Sequence, residues 1–325
     1  MANPERWGFD GSTLAATDDG STGLVSLGFT GNFAGVNISQ CYVNNNGNIT
    51  FAAPLNQFTP SNLNTMNTGI IAPFFADVDT RAIGSAIVRY GAGTVGGHSA
   101  FGVDYGGLNS AGVPYGGVGY YPQGTDKLND FQVLLVDRSD TGTGNFDIEI
   151  NYKQIKWETG GASGGTSGLG GYSARVGYTN GTGVAGTHYE LAGSGINGAL
   201  LDGGPNSSAA NSNVGVPGRY LFTARQGTIT PGITHAIPAN VAQYSCPVPT
   251  SPSLANLKKW NGTSFIDVTD GEITGGNVHV ITHGWAQGER DYMNGHPGTL
   301  AWDVPPLHPG EQGYSEWMKT MAAEV

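Results

Sequence analysis

Between Phe146 and Tyr152 apolar and polar residues alternate, with Phe146, Ile148, Ile150 and Tyr152 on one side and Asp147, Glu149 and Asn151 on the other. Successive side chains of a strand point to opposite faces, so this period of two predicts a strand with one buried and one wet face. The apolar run 131–137 (FQVLLVD) precedes it across 141–145 (TGTGN), which predicts a hairpin with a glycine-rich loop. Residues 155–158 (IKWE) continue the second arm, with Trp157 turned inward. Residues 42–51 (YVNNNGNITF) read as strand, turn and strand, Asn46 and Gly47 supplying the positive φ angles of a two-residue turn. Residues 70–81 (IIAPFFADVDTR) predict a strand with an apolar core of Ile70, Ile71, Phe74 and Phe75, ending abruptly on Asp77 and Asp79.

Further strands are expected at 174–178, 189–191 and 218–224, separated by polar stretches. The tract 160–171 (GGASGGTSGLGG) predicts a flexible loop that adds nothing to the core. Residues 207–213 also read as polar loop, and no apolar period of 3.6 occurs before about residue 310. Residues 226–252 hold five prolines among Thr, Ser and Gly, which predicts an extended linker. Beyond it, 257–268 predict a small hairpin turning at Asn261-Gly262, and 278–281 a short buried strand. Trp317, Met318, Met321 and Val325 are spaced for a helix over 313–325. The expected organisation is a β domain over 1–225, a linker over 226–256 and a partial second segment over 257–325.

Composition agrees with many short strands. Glycine accounts for 54 of 325 residues, and a glycine inside a helix costs about 1 kcal/mol relative to alanine. With 38% hydrophobic residues, including 12 Phe, 14 Tyr and 6 Trp, the chain can still bury a core. The net charge of −11 leaves no basic stripe to neutralise phosphates, which argues against nucleic acid. No run approaches 18 consecutive apolar residues, so no membrane-spanning helix is expected. The start, MANPERWGFDG, lacks the apolar segment of a signal peptide. Either a signal has been removed and Met1 added, or export uses another route, such as a C-terminal signal or assembly into a virus particle.

Candidate chemistry is sparse. Asp77 and Asp79, on alternate residues, are expected to share one face of an extended strand and to repel unless a cation lies between them. Calcium with added carbonyl ligands is one reading, and pairing with Arg81 is the other. Asp137, Asp140 and Asp147 read as solvated turn acids. Cys41 and Cys246 flank the β domain, as a long-range disulfide or as two free thiols. Ser163 lies in a literal G-x-S-x-G, and Ser99 in a G-H-S, but neither has the strand–turn–helix context of a nucleophile. His279, His283, His296 and His308 are spaced too irregularly for a zinc helix. Asn37, Asn48, Asn180, Asn206 and Asn261 each begin an N-x-S/T glycosylation pattern, which chance also produces in a chain so rich in Asn, Ser and Thr.

Five segments together resemble the nidogen-like extracellular domain: YVNNNGNITF, IIAPFFADVDTR, NDFQVLLVDRS with GNFDIEINYKQIKWETG, ARVGYTNGTG with YELAGSG, and SNVGVPGRYLF. They occur in the family's order over about 24–225; Phe75 stands where many members have Trp. The resemblance implies an antiparallel, sandwich-like β module of extracellular proteins, associated with cell–matrix adhesion and without established catalytic residues. Separately, 278–285 (VHVITHGW) resemble the oxyanion-hole turn of lipase-like α/β-hydrolases, in which the backbone around His283, Gly284 and Trp285 would face an oxyanion. That likeness implies a small α/β fragment whose nucleophile and triad would follow Val325.

The resulting expectation is a mainly β, extracellular or cell-surface module that does no catalysis within residues 1–325. Its partners would be matrix, glycan or cell-surface ligands, with self-association as a further mode and calcium as the one cofactor considered. Two alternatives stand beside it, the targeting part of a longer secreted lipase or esterase and a structural component of a virion or surface filament.

Overall fold

A computed structural model of the chain describes residues 4–231 and, beyond them, the backbone of four short strands. The chain divides into two compact units, Met1–Ala236 and Ile237–Val325. The first unit carries fifteen described strands. The first six are β1 (Ser12–Thr13), β2 (Val25–Phe33), β3 (Val36–Asn44), β4 (Asn48–Thr50), β5 (Ile70–Phe75) and β6 (Val78–Asp79). Next come β7 (Val88–Val95), β8 (His98–Tyr105), β9 (Val118–Tyr120), β10 (Gly124–Asp137) and β11 (Phe146–Gln154). The last are β12 (Arg175–Thr179), β13 (His188–Glu190), β14 (Arg219–Arg225) and β15 (Thr228–Pro231).

Two antiparallel sheets result. One runs β1-β7-β8-β10-β11-β14-β15, with β9 and β6 branching from β10; the other runs β13-β12-β5-β4-β3-β2. The core lies between them. Phe33, Val43, Ile49, Ile71 and Phe74 from the smaller sheet meet Tyr105, Phe131, Ile148, Ile150, Tyr152 and Phe222 from the larger. Tyr105 stacks on Phe131 at 4.6 Å between ring centroids, and Phe74 stands edge-on to Trp157 at 5.8 Å. Such pairs add to the burial of apolar area that stabilises the sandwich.

The expected hairpin forms between β10 and β11, with Phe131 opposite Tyr152 and Asp137 opposite Phe146. Its second face, however, is not wet. Asp147, Glu149 and Asn151 are all buried, because the N-terminal segment lies across this side of the sheet. The Arg6 guanidinium donates to both Glu149 oxygens at 2.6 and 2.9 Å, and Gln132 Nε2 donates to the Arg6 carbonyl at 2.7 Å. Phe9 completes the cover against Ala100, Leu134 and Val136. Asp147, expected among the solvated acids, pairs with Arg225 at 2.6 Å and Arg138 at 3.1 Å.

Strand β5 is buried on both faces, but its alternation breaks at Pro73. Ile71 and Phe74 face the central core, whereas Ile70, Ala72 and Phe75 pack with Leu63 under the 51–69 segment. The pairing of β5 with β12 shifts by one residue in this interval. A proline inside a sheet is accommodated at such a bulge, where the ladder does not need its N–H.

The turn between β3 and β4 also differs from the expected two-residue form. Asn44 pairs with Asn48, so three residues form the loop, and only Gly47 has positive φ, at +71°. A turn closed by one left-handed glycine is the common three-residue solution. Trp157 is buried as expected, but β11 ends before it. Asn129 replaces the ladder by accepting from the Lys156 and Trp157 amides at 2.7 and 3.1 Å. The glycine tract packs instead of floating free, and Ser163 and Gly168 are buried within it. Residues 228–231, assigned by composition to the linker, form edge strand β15 against β14.

In the second unit, β16 (Leu257–Trp260) and β17 (Phe265–Asp267) pair antiparallel, Trp260 opposite Phe265, as expected of a hairpin. β18 (Val280–Ile281) pairs parallel with β19 (Leu300–Trp302). His283, Gly284 and Trp285, Cys246 and the expected 313–325 helix lie outside the described residues.

A Cβ added at Gly47 would fall 1.8 Å from the Phe74 carbonyl oxygen, whereas one at Gly28 (φ +82°) would meet open space. Gly47→Ala is therefore expected to cost about 3 kcal/mol or more, against about 1 kcal/mol for Gly28→Ala, where only the backbone conformation is strained. Equal losses in urea denaturation would contradict this account of the turn.

Candidate functional site

The two informative stretches, 42–51 and 70–81, form one structure. The Phe74 amide donates to the Gly47 carbonyl at 3.1 Å, and the Ala76 amide to that of Asn46 at 3.3 Å. Asn46 Oδ1 accepts from the Val78 amide at 3.0 Å, and Asn45 Nδ2 donates to the Val78 carbonyl at 2.6 Å. The 17–20 loop is pinned to the same turn. The Asn45 amide donates to the Gly20 carbonyl at 2.8 Å, Asn46 Nδ2 to Asp19 Oδ1 at 2.8 Å, and Asn45 Nδ2 to the Asp18 carbonyl. Thr80 closes the other side, its amide and hydroxyl both donating to the Thr17 carbonyl.

This scaffold separates the two predicted acids. The Val78 amide donates to the Ala76 carbonyl at 3.0 Å, a tight bend about Asp77 that interrupts the strand, so the two carboxylates do not share one environment. Asp79 is neutralised. Arg81 donates to its two oxygens at 2.9 and 2.6 Å, and the Arg81 and Gln123 amides donate at 3.0 and 2.9 Å. Burial alone would raise the Asp79 pKa, but the hydrogen bonds from Arg81 and Gln123 hold it below the usual carboxylate value. The expected Asp77–Asp79 cation site is thus replaced, at Asp79, by the Arg81 pair.

Asp77 joins a different group. One carboxylate oxygen from each of Asp18, Asp19 and Asp77 lies within 4.8 Å of the others. Asp77 is 1% exposed, and its Oδ2, like Asp18 Oδ1, is buried with no hydrogen-bond donor among the described residues. Burial, then repulsion from Asp18 and Asp19, pushes Asp77 up to about 7, against one opposing bond from the Ala162 amide. Burial and Asp19 push Asp18 up to about 6, although Arg81 reaches its Oδ2 at 3.1 Å. These are oxygen donors that suit a hard cation. Sequence reasoning missed Asp18 and Asp19, whose only signal is a D-D-G turn far from Asp77 along the chain.

A cleft lies between the 57–62 segment and Tyr172. Thr59 and Ser163 share a hydroxyl hydrogen bond at 3.1 Å, and the Tyr172 amide donates to the Ser163 carbonyl at 2.9 Å. The cleft, about 470 Å³ and open, is lined by Phe58, Pro60, Tyr172 and Arg175 among others. Tyr172 is 66% and Phe58 36% exposed. Ser163 itself is buried in a 3-10 turn, Gly161–Ser163, and not on a strand-to-helix elbow. Ser99 is exposed on β8, beside the Gly96-Gly97 hairpin turn.

Elsewhere, Cys41 is fully buried, and burial pushes its thiol up to about 12; its expected partner lies outside the described residues. Asp104, buried beneath the N-terminal segment, is raised to about 8 by desolvation and accepts from Gln132 at 2.5 Å. Asn48 is fully buried, which removes it as a glycan acceptor in the folded protein, whereas Asn37 is exposed.

The raised carboxyl values fix a sign. The unfolded chain ionises Asp18 and Asp77 near pH 4, while the folded one resists until about pH 6 and 7, so stability is lost as pH rises through that window. In chelator, Asp77→Asn is expected to gain stability over the wild type, least near pH 4 and most above pH 7. Thermal denaturation across pH 4 to 8 measures it; a constant difference would refute the assignment.

The nidogen-like domain family model matches residues 39–96 and 113–226, a span that lies within the two-sheet unit. Alpha-tectorin of Mus musculus is 32% identical over 231 residues, which cover 66% of this chain and 10% of that protein. The Homo sapiens protein gives 31% over the same length, and that of Gallus gallus 29% over 218 residues. The chain therefore spans only about a tenth of the length of these relatives. No solved structure gives a significant match. With the family model covering more than half of its residues, this chain belongs to the nidogen-like domain family.

Proposed function

We propose that the chain is an extracellular matrix-type module that binds a matrix, glycan or cell-surface ligand and performs no catalysis within residues 1–325. The observation that carries this reading is the family match along the β unit, on strands that build its sheets. The alpha-tectorin relatives support the same setting. The exposed pair Phe58 and Tyr172, with Arg175 beside them, offers the aromatic and cationic contacts that dominate the energetics of recognition surfaces. The chemistry that a hydrolase would need finds little support in the β unit, since the Ser163 hydroxyl is buried against Thr59 and the Phe58 carbonyl.

A second reading, the targeting part of a longer secreted lipase or esterase, draws on one observation. β18 and β19 pair in parallel, the arrangement an α/β sheet requires.

On arrays of glycans and immobilised matrix glycoproteins, the 325-residue chain is expected to bind saturably. Truncating Phe58 and Tyr172 together to Ala should weaken that binding on the order of tenfold or more. Turnover of a p-nitrophenyl ester should remain at background. Ester turnover abolished by Ser163→Ala, or an array without a single bound ligand, would defeat the proposal.

A further inference from the structure

We propose that Asp18, Asp19 and Asp77 hold a calcium ion where the 17–20 loop meets the β5–β6 bend. Two segments distant in the chain, the 17–20 loop with Asp18 and Asp19 and the β5–β6 bend with Asp77, bring these carboxylates to one point, an oxygen from each lying within 4.8 Å of the others. Proximity of acids alone would not indicate a ligand. What does so is Asp77, 1% exposed, whose Oδ2 is buried without a donor, together with the equally orphaned Asp18 Oδ1. A buried, ionised carboxylate oxygen left without a partner is costly unless a positive charge faces it.

Three other buried acids show the partners such oxygens take, although Asp104 Oδ2, under the N-terminal segment, is also left without one. Buried Glu158 accepts from the Gly198 and Leu200 amides, each at 2.7 Å. Buried Asp130 accepts from Lys153 at 2.7 Å and from the Gly107 amide at 2.7 Å. Asp79, two residues from Asp77, receives Arg81 and two backbone amides. At the triad the supply stops short. Arg81 reaches only Asp18 Oδ2, after committing two hydrogen bonds to Asp79, Asn46 reaches only Asp19 Oδ1, and the single bond from the Ala162 amide to Asp77 leaves its Oδ2 without a donor. Four acids, Asp18, Asp19, Asp77 and Asp79, thus face one guanidinium, so that ionising all four would leave a local excess of three negative charges.

A divalent cation removes most of that excess. The donors are all carboxylate oxygens, with no histidine or cysteine in the group, which selects a hard ion over zinc or copper. Calcium tolerates irregular shells of six to eight oxygens, as three acids on an irregular loop and a bend would offer, whereas magnesium demands a near-ideal octahedron. A Cβ at Gly160 would lie 2.4 Å from Asp77 Oδ2, so the glycine tract closes over the acid without a side chain of its own.

The inference stands on this geometry and not on the adhesion reading. A failed calcium titration would leave ligand binding at Phe58 and Tyr172 standing, and the converse holds as well. The test titrates CaCl2 into the 325-residue chain, stripped with EGTA, by calorimetry and by thermal denaturation. Expected are uptake of one ion by the wild type and a melting temperature that rises with calcium concentration. Asp77→Asn and Asp19→Asn should each weaken uptake at least tenfold, while Asp140→Asn, an exposed acid on another loop, should leave it intact. The melting temperature in EGTA reports whether each variant folds; Asp77→Asn, which relieves repulsion, should be no less stable than the wild type there. The proposal is overturned if the wild type shows neither heat nor a melting shift with calcium, or if both variants keep the shift. An equal shift with magnesium would overturn the assignment to calcium.

Discussion

The asparagine turn between β3 and β4 is buried, and a buried amide must find partners or cost about 1–3 kcal/mol. Asn44, Asn45, Asn46 and Asn48 are each 1% exposed or less. Asn44 Nδ2 donates to Asn48 Oδ1 and Thr50 Oγ1, and its Oδ1 accepts from Ser21 and Leu55. The Tyr105 hydroxyl, from the opposite sheet, donates to the carbonyls of Asn44 and Asn48 at 2.7 and 3.1 Å. One turn therefore ties together both sheets, the 17–20 loop and the end of β5. Gly47 makes this possible, since only a residue without a side chain lets the turn lie on the Phe74 carbonyl. The position of the acidic group follows from the same constraint.

A second organising feature is that both sheets are covered on their outer faces. Arg6 and Phe9 bridge the larger sheet, and Arg219 Nε donates to Asn151 Oδ1 at 3.0 Å from within it. Leu55, Leu63 and Met66 cover part of the smaller one. Two acids on the covered face of the larger sheet are each paired twice. Glu149 meets both Arg6 and Arg219, and Asp147 meets Arg138 and Arg225. Pairing of this kind holds a segment of irregular backbone in register, because removing either partner would leave a buried charge.

An apolar run found the second half of β10 and the period-two pattern found β11, because one face of each looks into the core whatever covers the other. It failed on the identity of that other face. Asp147, Glu149 and Asn151 are as polar as solvated residues, and nothing local shows that a segment more than a hundred residues upstream will lie over them. The glycine tract at 160–171 failed for a related reason. Its composition signals freedom, yet the missing side chains are what let it pack against Trp157 and Asp77. At Asp77 and Asp79 the sequence reading kept both the cation and the Arg81 pair in view. The tertiary structure divides them, giving Arg81 to Asp79 and placing Asp77 with Asp18 and Asp19.

Family membership, the mainly β class and the buried character of β5 were determined by the sequence itself, through motif order, glycine-rich turns and apolar runs whose meaning is local. The tertiary structure decided which acids share a site, which faces are dry and that residues 228–231 add an edge strand to the larger sheet. The first two depend on contacts between segments distant in the chain, and on a one-residue bulge at Pro73 that changes which face each side chain takes. Local pattern fixes the direction of a side chain relative to its neighbours along the strand; only packing fixes what stands opposite it.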